Sequence, residues 1–157
     1  MDCNRLSQQY ATGERNFSGL DLADARLGYA NLAQADLSHA NLSRASLNGA
    51  NLRKANLSGA NLHGADLCNA DLSGADLTNT DFEAAILLKA NLTGANLTGA
   101  NFRWAALTYA TPSDLGLSRS IICRTVLPDG FPSDAISVPT IQTALATSDR
   151  RHSASVF

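Results

Sequence analysis

A single pattern of apolar and polar positions runs through most of the chain. From residue 17 to residue 107, leucine or phenylalanine stands at every fifth position without a slip, nineteen times in all. Alanine stands two residues earlier in sixteen of these units, and asparagine or aspartate lies between the two in fifteen. The last two positions hold mostly small or polar residues, such as Ser58 and Gly59. The chain is therefore built from tandem copies of one five-residue unit.

A period of five fits neither an α-helix nor a long strand. Five helical residues advance a side chain by roughly 500°, so the leucines would wind around the helix instead of forming one apolar stripe. On a strand, leucines five apart would point to opposite faces. A short alternation of apolar, polar and apolar residues, followed by a two-residue turn, does fit, because Asn, Asp, Ser and Gly favour turns. Repeated turns of this kind predict a solenoid, in which each coil buries its leucines against its neighbours.

The units, written Ala-[Asp/Asn]-Leu-x-x, resemble those of the pentapeptide-repeat family. The resemblance covers residues 15 to about 129. It implies an all-β fold, a right-handed quadrilateral β-helix in which four units make one coil, with short caps at its ends. The residues that carry the resemblance are those that build the coil, so the resemblance implies no chemistry.

Three segments follow from the extent of the repeats. Residues 1–14 precede them and are expected to form an N-terminal cap with one short helix, because Leu6 and Tyr10, four residues apart, would lie on one side of it. Residues 15–130 form the predicted β-helix. Residues 131–157, rich in Ser, Thr, Ala and Pro, are expected to form a flexible C-terminal tail. Within that tail, we expect at most a weak helix over 136–146, formed on binding.

The repeat weakens near its C-terminal end. Pro112 occupies a core position, but the five-residue frame resumes afterwards, which predicts one last irregular coil. The sequence Pro128, Asp129 and Gly130 then predicts a turn that ends the coil. The apolar residues that resume the frame are Leu117, Ile122 and Leu127.

Counting in steps of twenty assigns the leucines and phenylalanines to four faces. Phe82 and Phe102 are one coil apart on the second face and are predicted to stack in the core. The first face supplies the rest of the predicted core ladder, namely Phe17, Leu37, Leu57, Leu77 and Leu97.

The third face is where the asparagine or aspartate rule fails. All four exceptions, Arg26, Ser46, Ile86 and Ala106, lie there, and the last two are apolar. The C-terminal half of this face is therefore a candidate contact surface. It would bind an unknown protein or, as a homodimer, a second copy of the chain; alternatively, the C-terminal segment folds over it, or the face simply tolerates variety. The candidate interaction patch consists of Ile86, Leu88, Ala106, Tyr109 and Val126.

Composition limits the cellular environment and the classes of partner that we expect for this chain. With 45% hydrophobic but only 6% aromatic residues, the chain suits a single domain with a narrow core of leucine and alanine. A net charge of −2 predicts no general binding of nucleic acid. Three widely spaced cysteines predict no disulfide framework. Since no apolar run of signal-peptide or membrane-spanning length occurs, we expect a cytoplasmic protein without membrane contact.

The sequence contains no recognisable catalytic motif. His39, His63 and His152 are too scattered for a metal site, and no glycine-rich motif opens a helix. Six aspartates of the repeats are predicted to point outward from a wall without a pocket, as solvated carboxylates. We therefore expect no catalytic, cofactor or metal site and no enzymatic activity.

Two functions remain. The first is a non-catalytic scaffold that offers a flat face to a protein partner. The second comes from the family resemblance, since some members are thought to imitate duplex DNA and inhibit DNA gyrase in quinolone resistance. Nine of the fifteen Asn/Asp positions here are uncharged Asn, and ten Lys and Arg nearly balance twelve Asp and Glu before residue 131. The potential needed for DNA mimicry is therefore expected to be weak.

Overall fold

The computed structural model describes residues 3–135. Helix α1 spans Cys3–Ala11 and is followed by the solenoid. Two 3₁₀ helices, Leu117–Arg119 and Ser133–Ala135, belong to its C-terminal end. Within the described part of the chain, no helix has the length and apolar character needed to cross a membrane.

Parallel β-bridges join residues that are twenty apart, so one coil contains four five-residue units. Asn16 pairs with Asp36, which in turn pairs with Asn56, and the same step recurs on all four faces. The bonds run along the solenoid axis: the Asp36 N–H donates to the Arg15 carbonyl, and the Leu37 N–H to the Asn56 carbonyl (both N to O 2.7 Å). The register is therefore the one that the twenty-residue count predicts.

The bridges are single residues, and no longer strand occurs among residues 3–135. The reason is local, because a turn follows each bridged residue almost at once. After Leu37, the Ala40 N–H donates back to the Leu37 carbonyl (3.1 Å), and His39 between them adopts a φ of 57°. Gly59 takes the same left-handed conformation one coil further on. The predicted all-β class therefore describes the ladders correctly, but extended strands do not form.

Leucine, phenylalanine and alanine fill the centre of the coil. Phe82 and Phe102 stack with ring centroids 4.9 Å apart and planes 3° from parallel, which confirms the predicted stack. All seven residues of the core ladder are buried, from fully enclosed to 7% exposed at Leu97: Phe17, Leu37, Leu57, Leu77, Leu97, Phe82 and Phe102.

Hydroxyl side chains replace alanine at some core positions, and they follow a common rule. Each donates a hydrogen bond to the backbone carbonyl of the core residue twenty-three positions earlier, in the coil before. A buried hydroxyl needs such a partner, since an unpaired one would be costly. The three bonds run from Thr80 to Leu57 (2.8 Å), from Ser120 to Leu97 (2.9 Å) and from Thr125 to Phe102 (2.6 Å).

Helix α1 lies against the first coil. Leu6 is fully buried and belongs to the same apolar cluster as the solenoid core. The Tyr10 hydroxyl donates to the Ala33 carbonyl (2.8 Å), and the Arg15 guanidinium lies 3.7 Å from the centre of the Tyr10 ring. The N-terminal end of the core is therefore covered.

The last coil keeps the twenty-residue step but not the burial. Ile121 pairs with Asn101, and Val126 with Ala106. The apolar residues predicted to continue the core are only partly enclosed, because no further coil lies beyond them: Leu117 and Leu127 are half-buried, and Ile122 is 41% exposed.

The predicted boundary of the tail at residue 131 needs correction, because residues 131–135 pack on the last coil. The chain turns after Leu127, whose carbonyl accepts the Gly130 N–H (2.8 Å), and Pro132 then pairs antiparallel with Val126. The Ser133 N–H donates to the Thr125 carbonyl (2.7 Å). This pairing occupies an edge that the solenoid otherwise leaves open. The rest of the predicted tail, including the stretch 136–146, lies outside the described residues.

Candidate interaction surface

The structure brings the five residues of the candidate patch together on the third face. Ile86, Ala106 and Val126 occupy the same outward position in three successive coils and are joined by parallel bridges. Ile86 is 46% exposed, Leu88 37% and Tyr109 66%, whereas Ala106 and Val126 are half-buried. We call these five residues the apolar strip. Ile86, Ala106 and Val126 present apolar side chains where the other faces present asparagine and aspartate, and Leu88 and Tyr109 lie in the turns that follow the first two of these rungs.

The asparagines and aspartates of the other faces have two structural roles. Each side-chain oxygen accepts the backbone N–H two residues later: Asn91, for example, accepts from the Thr93 N–H at 3.1 Å. Many asparagines also donate to the same position in the preceding coil, as Asn91 does to Asp71 at 3.1 Å. These side chains therefore satisfy the turn of their own unit and link neighbouring coils.

Both bonds are missing where the strip is apolar. Since Ile86 and Ala106 have no side-chain acceptor, the backbone N–H groups of Leu88 and Thr108 have no acceptor anywhere in residues 3–135. The third bridged position of the strip, Val126, leaves no donor open. The residue two positions later is Pro128, which has no N–H. The apolar strip thus contains two backbone donors that are open to an outside acceptor.

The sequence did not lead us to predict these two open donors or the exposed side chain of Phe131 beside the strip. The donors follow from the same substitutions at positions 86 and 106, once the turn-closing role of Asn and Asp is known. Phe131 is 63% exposed and adjoins Pro132, which pairs with Val126, so it extends the apolar surface. Only the backward fold of residues 131–135 places it there. Trp104, 55% exposed, carries the Arg124 guanidinium 4.6 Å from its ring centre.

The basic side chains of Arg44 and Arg53 both form ion pairs. Arg44 contacts Asp24 through two hydrogen bonds of 2.8 and 2.7 Å, and this pairing holds the pKa of Asp24 below its usual value. Arg53 reaches Asp71 at 3.3 Å. Burial raises the pKa of Asp71, but hydrogen bonding by Ser73 and then by Arg53 outweighs it, so the net shift is downward. These residues form local pairs and not a concentrated basic patch.

The structure shows no catalytic constellation among the residues that it describes. No three His, Cys, Asp or Glu side chains in 3–135 are grouped to hold a metal ion. Burial, and then the neighbouring Asp66 carboxylate, raises the pKa of the Cys68 thiol. A raised pKa keeps that sulfur protonated, which is the opposite of what a nucleophile or metal ligand requires.

A coil of four five-residue units, with Leu or Phe inside and Asn or Asp outside, defines a solenoid repeat protein. The family model for pentapeptide repeats matches the chain in eight copies, over residues 16–53, 35–74, 45–83 and 75–111. Because these matches cover more than half of the sequence, the chain belongs to the pentapeptide-repeat family.

One of the similar solved structures, with a TM-score above 0.5, agrees with this assignment. The pentapeptide repeat protein Rfr23 of the cyanobacterium Cyanothece 51142 is 29% identical, with a TM-score of 0.63, over 78% of this chain and 92% of that one. A pentapeptide repeat protein from Nostoc PCC 7120 is 33% identical, with a TM-score of 0.39, over 76% and 94%. QnrB1, a plasmid-mediated fluoroquinolone resistance protein, is 18% identical, with a TM-score of 0.45, over 71% and 62%. No protein of curated function matches the sequence.

Proposed function

We propose that this protein is a non-catalytic interaction scaffold, a right-handed quadrilateral β-helix that binds another protein through the apolar strip. The observation that carries the proposal is the pair of apolar rungs at Ile86 and Ala106. Two polar side chains that would close turns and link coils are absent there, and exposed apolar side chains stand beside two open N–H groups. The same turn-closing bond is absent at the Gly28 and Asn48 N–H groups, beside Arg26 and Ser46 of the same face. The rungs at Ile86 and Ala106 differ from those two because their outward side chains are apolar.

The open donors define the chemistry of the partner. An N–H group that becomes buried without an acceptor costs about 1–3 kcal/mol, so a purely apolar partner would bind poorly. A suitable partner presents apolar side chains together with carbonyl or carboxylate oxygens that reach the N–H groups of Leu88 and Thr108. Ala106 favours this arrangement, because its methyl group leaves open the space that an Asn side chain fills on other rungs.

A second copy of the chain is the first partner to test. Rungs about 4.8 Å apart make the bridged part of the strip roughly 10 Å long, which is small beside the ~800 Å² per partner of a standard interface. The adjacent Trp104 and Phe131 would enlarge the contact with large exposed aromatic side chains. A contact confined to the strip would be weak and transient, and one that includes both aromatics would bury more apolar surface.

The proposal is tested by comparing two matched double variants with the wild-type chain. The strip variant is Ile86→Asp with Leu88→Asp, and the control is Asn96→Asp with Thr98→Asp, which adds the same side chains at exposed positions of the first face. We expect light scattering to show a dimer for wild type and control and a monomer for the strip variant. If all three are monomers, affinity capture of binding proteins by each chain replaces light scattering as the test. The scaffold proposal then requires a partner protein that binds wild type and control but does not bind the strip variant. Identical mass and identical partners for all three would contradict it.

A single substitution at Ala106 tests the role of the open donors. Ala106→Asn would restore an acceptor for the Thr108 N–H within the chain, and we expect binding to weaken while folding stability is kept or improved. Ala106→Val leaves the donor open and the surface apolar, so it should bind nearly as wild type does. Equal binding by both variants would show that the Thr108 donor has no part in recognition.

Inhibition of DNA gyrase by DNA mimicry remains the alternative, and the charge geometry does not favour it. The outward aspartates are spread over all four faces, and on the second face Asp21 and Asp81 are three rungs apart, or about 14 Å. Duplex DNA carries a negative charge every ~1.7 Å along its axis. Asn41 and Asn101 also hydrogen-bond these carboxylates. A supercoiling assay with purified gyrase decides the matter, and inhibition at modest protein excess would establish the alternative.

A further inference from the structure

The N-terminal half of the third face contains a second pair of open backbone donors. Arg26 and Ser46 occupy the outward position of two neighbouring coils there and are joined by a parallel bridge. Neither side chain accepts the N–H two residues later, so the N–H groups of Gly28 and Asn48 have no acceptor in the part of the chain that the structure describes. Since the Tyr29 N–H donates to the Asn48 carbonyl at 2.8 Å, the coils are in register and the two open N–H groups lie about 4.8 Å apart.

The Ser46 hydroxyl does not close the turn as an asparagine would. It donates instead to Asn48 Oδ1 at 2.8 Å. The Asn48 side chain is held beside Gly28, where an added Cβ would lie 2.6 Å from Asn48 Oδ1. The absence of a side chain at position 28 therefore makes room for Asn48, and both N–H groups stay unpaired within the coil.

Arg26 places a positive charge beside these donors. Its side chain is exposed, and neither of the two ion pairs formed within residues 3–135 involves it. The nearest carboxylate along the chain, that of Asp24, is held by Arg44 through two hydrogen bonds of 2.8 and 2.7 Å. The first carboxylate on the same face is that of Asp66, two rungs or about 10 Å from Arg26. The guanidinium is therefore available to an outside anion.

Other rungs show what an N–H group at this position binds. On the first face, Asp36 Oδ1 accepts the Ser38 N–H at 3.0 Å and the side-chain amide of Asn56, in the next coil, at 3.1 Å. Hydrogen bonds from the Ser38 hydroxyl and then from its N–H hold the pKa of Asp36 below its usual value, so they stabilise the charged carboxylate. An anionic oxygen beside Gly28 or Asn48 would take the place that Asp36 Oδ1 has on its own rung.

The number of donors indicates the shape of the anion. A carboxylate would have to share one of its two oxygens between donors, whereas a tetrahedral anion has an oxygen for each N–H and others for the guanidinium, which matches phosphate in geometry. We propose that the N–H groups of Gly28 and Asn48, with the Arg26 guanidinium, bind a phosphate or sulfate group, as a free ion or as a monoester. This site is independent of the function proposed for the apolar strip, since Ile86 and Ala106 place no charge beside their open donors.

Titration of the full chain with sodium phosphate, at an ionic strength kept constant with sodium chloride, tests the site. We expect the amide NMR signals of Gly28 and Asn48 to shift along saturable curves with one dissociation constant. The signals of Leu88 and Thr108, which are open donors without an arginine, should shift little. Equal and unsaturated shifts at all four amides would refute the proposal.

Two further anions define the ligand. Sodium acetate should bind more weakly than phosphate, and equal affinity would refute the assignment to a tetrahedral anion. Methyl phosphate distinguishes the source: binding as tight as that of phosphate assigns the site to the phosphate group of a monoester, and binding of phosphate alone assigns it to the free ion.

Two matched pairs of variants, followed at the Gly28 signal, separate the donors from the charge. Ser46→Asn should provide an acceptor for the Asn48 N–H and abolish phosphate binding, whereas Ser46→Ala leaves that donor open and should bind nearly as wild type does. Arg26→Gln should weaken binding roughly tenfold, because a charged hydrogen bond is lost. Arg103→Gln removes the same charge from an exposed position of the second face and should have no effect. Equal affinities within either pair, in variants whose spectra show a folded chain, would overturn the proposal.

Discussion

Thr80 permits a direct test of the packing rule for hydroxyl side chains in the core. Alanine occupies the same position in sixteen of the nineteen repeat units, so Thr80→Ala brings the chain closer to its own consensus. Consensus substitutions commonly stabilise a protein by about 0.5–2 kcal/mol. The structure predicts the opposite result, because Thr80 is fully buried and its hydroxyl donates to the Leu57 carbonyl at 2.8 Å.

The magnitude follows from the groups that are lost. The Leu57 carbonyl also accepts the Ala60 N–H at 2.9 Å, so it stays paired and no orphaned acceptor results. Replacing the hydroxyl with a methyl group of similar size, as in Thr80→Val, should cost about 1 kcal/mol. Thr80→Ala also removes a buried methyl group, worth about 0.8 kcal/mol, and should cost about 2 kcal/mol in total. For a chain of this length, that corresponds to a fall in Tm of roughly 4–8 °C.

Thermal unfolding followed by far-UV circular dichroism measures the effect, and Trp104 fluorescence provides a second probe. We expect the order wild type, Thr80→Val, Thr80→Ala from the most to the least stable. A Tm for Thr80→Ala equal to or above that of wild type would refute the reasoning, since the repeat consensus would then describe this position better than the observed bond does.

Two further predictions concern the turns and the outer carboxylates. Gly49 (φ 64°) and Gly94 (φ 70°) share a left-handed conformation, so alanine at either should lower the free energy of unfolding in urea by about 1 kcal/mol. Gly49→Ala should lower it further, because its Cβ would lie 2.5 Å from the Tyr29 ring. Adding Tyr29→Ala should remove this additional loss. Hydrogen bonds from Ser38 hold the pKa of Asp36 below its usual 3.8. This carboxylate therefore stabilises the fold above about pH 3.8, and the contribution is lost as the pH falls through the lowered pKa. Asp36→Asn should weaken the loss of stability between pH 5 and 2, and an unchanged acid transition would contradict the assignment.

The local chemistry of the unit accounts for what sequence alone determines. The spacing of Leu and Phe identifies the core ladder from Phe17 to Phe102, because a five-residue unit that ends in a turn places the same position inside every time. The twenty-residue count then assigns Ile86, Ala106 and Val126 to one face, and the bridges between them follow the same count. In a solenoid, neighbouring coils are also neighbours in sequence, so a local rule extends over the whole repeat region.

Tertiary structure decided the features that depend on contacts between coils or on an end of the solenoid. The bond from Thr80 to Leu57 needs the geometry of two stacked coils, and no periodicity in the sequence indicates it. The open N–H groups of Leu88 and Thr108 appear only when each backbone donor is traced to its acceptor. At the C-terminal end, the repeat no longer supplies a neighbour. The exposure of Ile122 and the backward pairing of Pro132 with Val126 are therefore set by an open edge, whose partners a repeating pattern cannot specify.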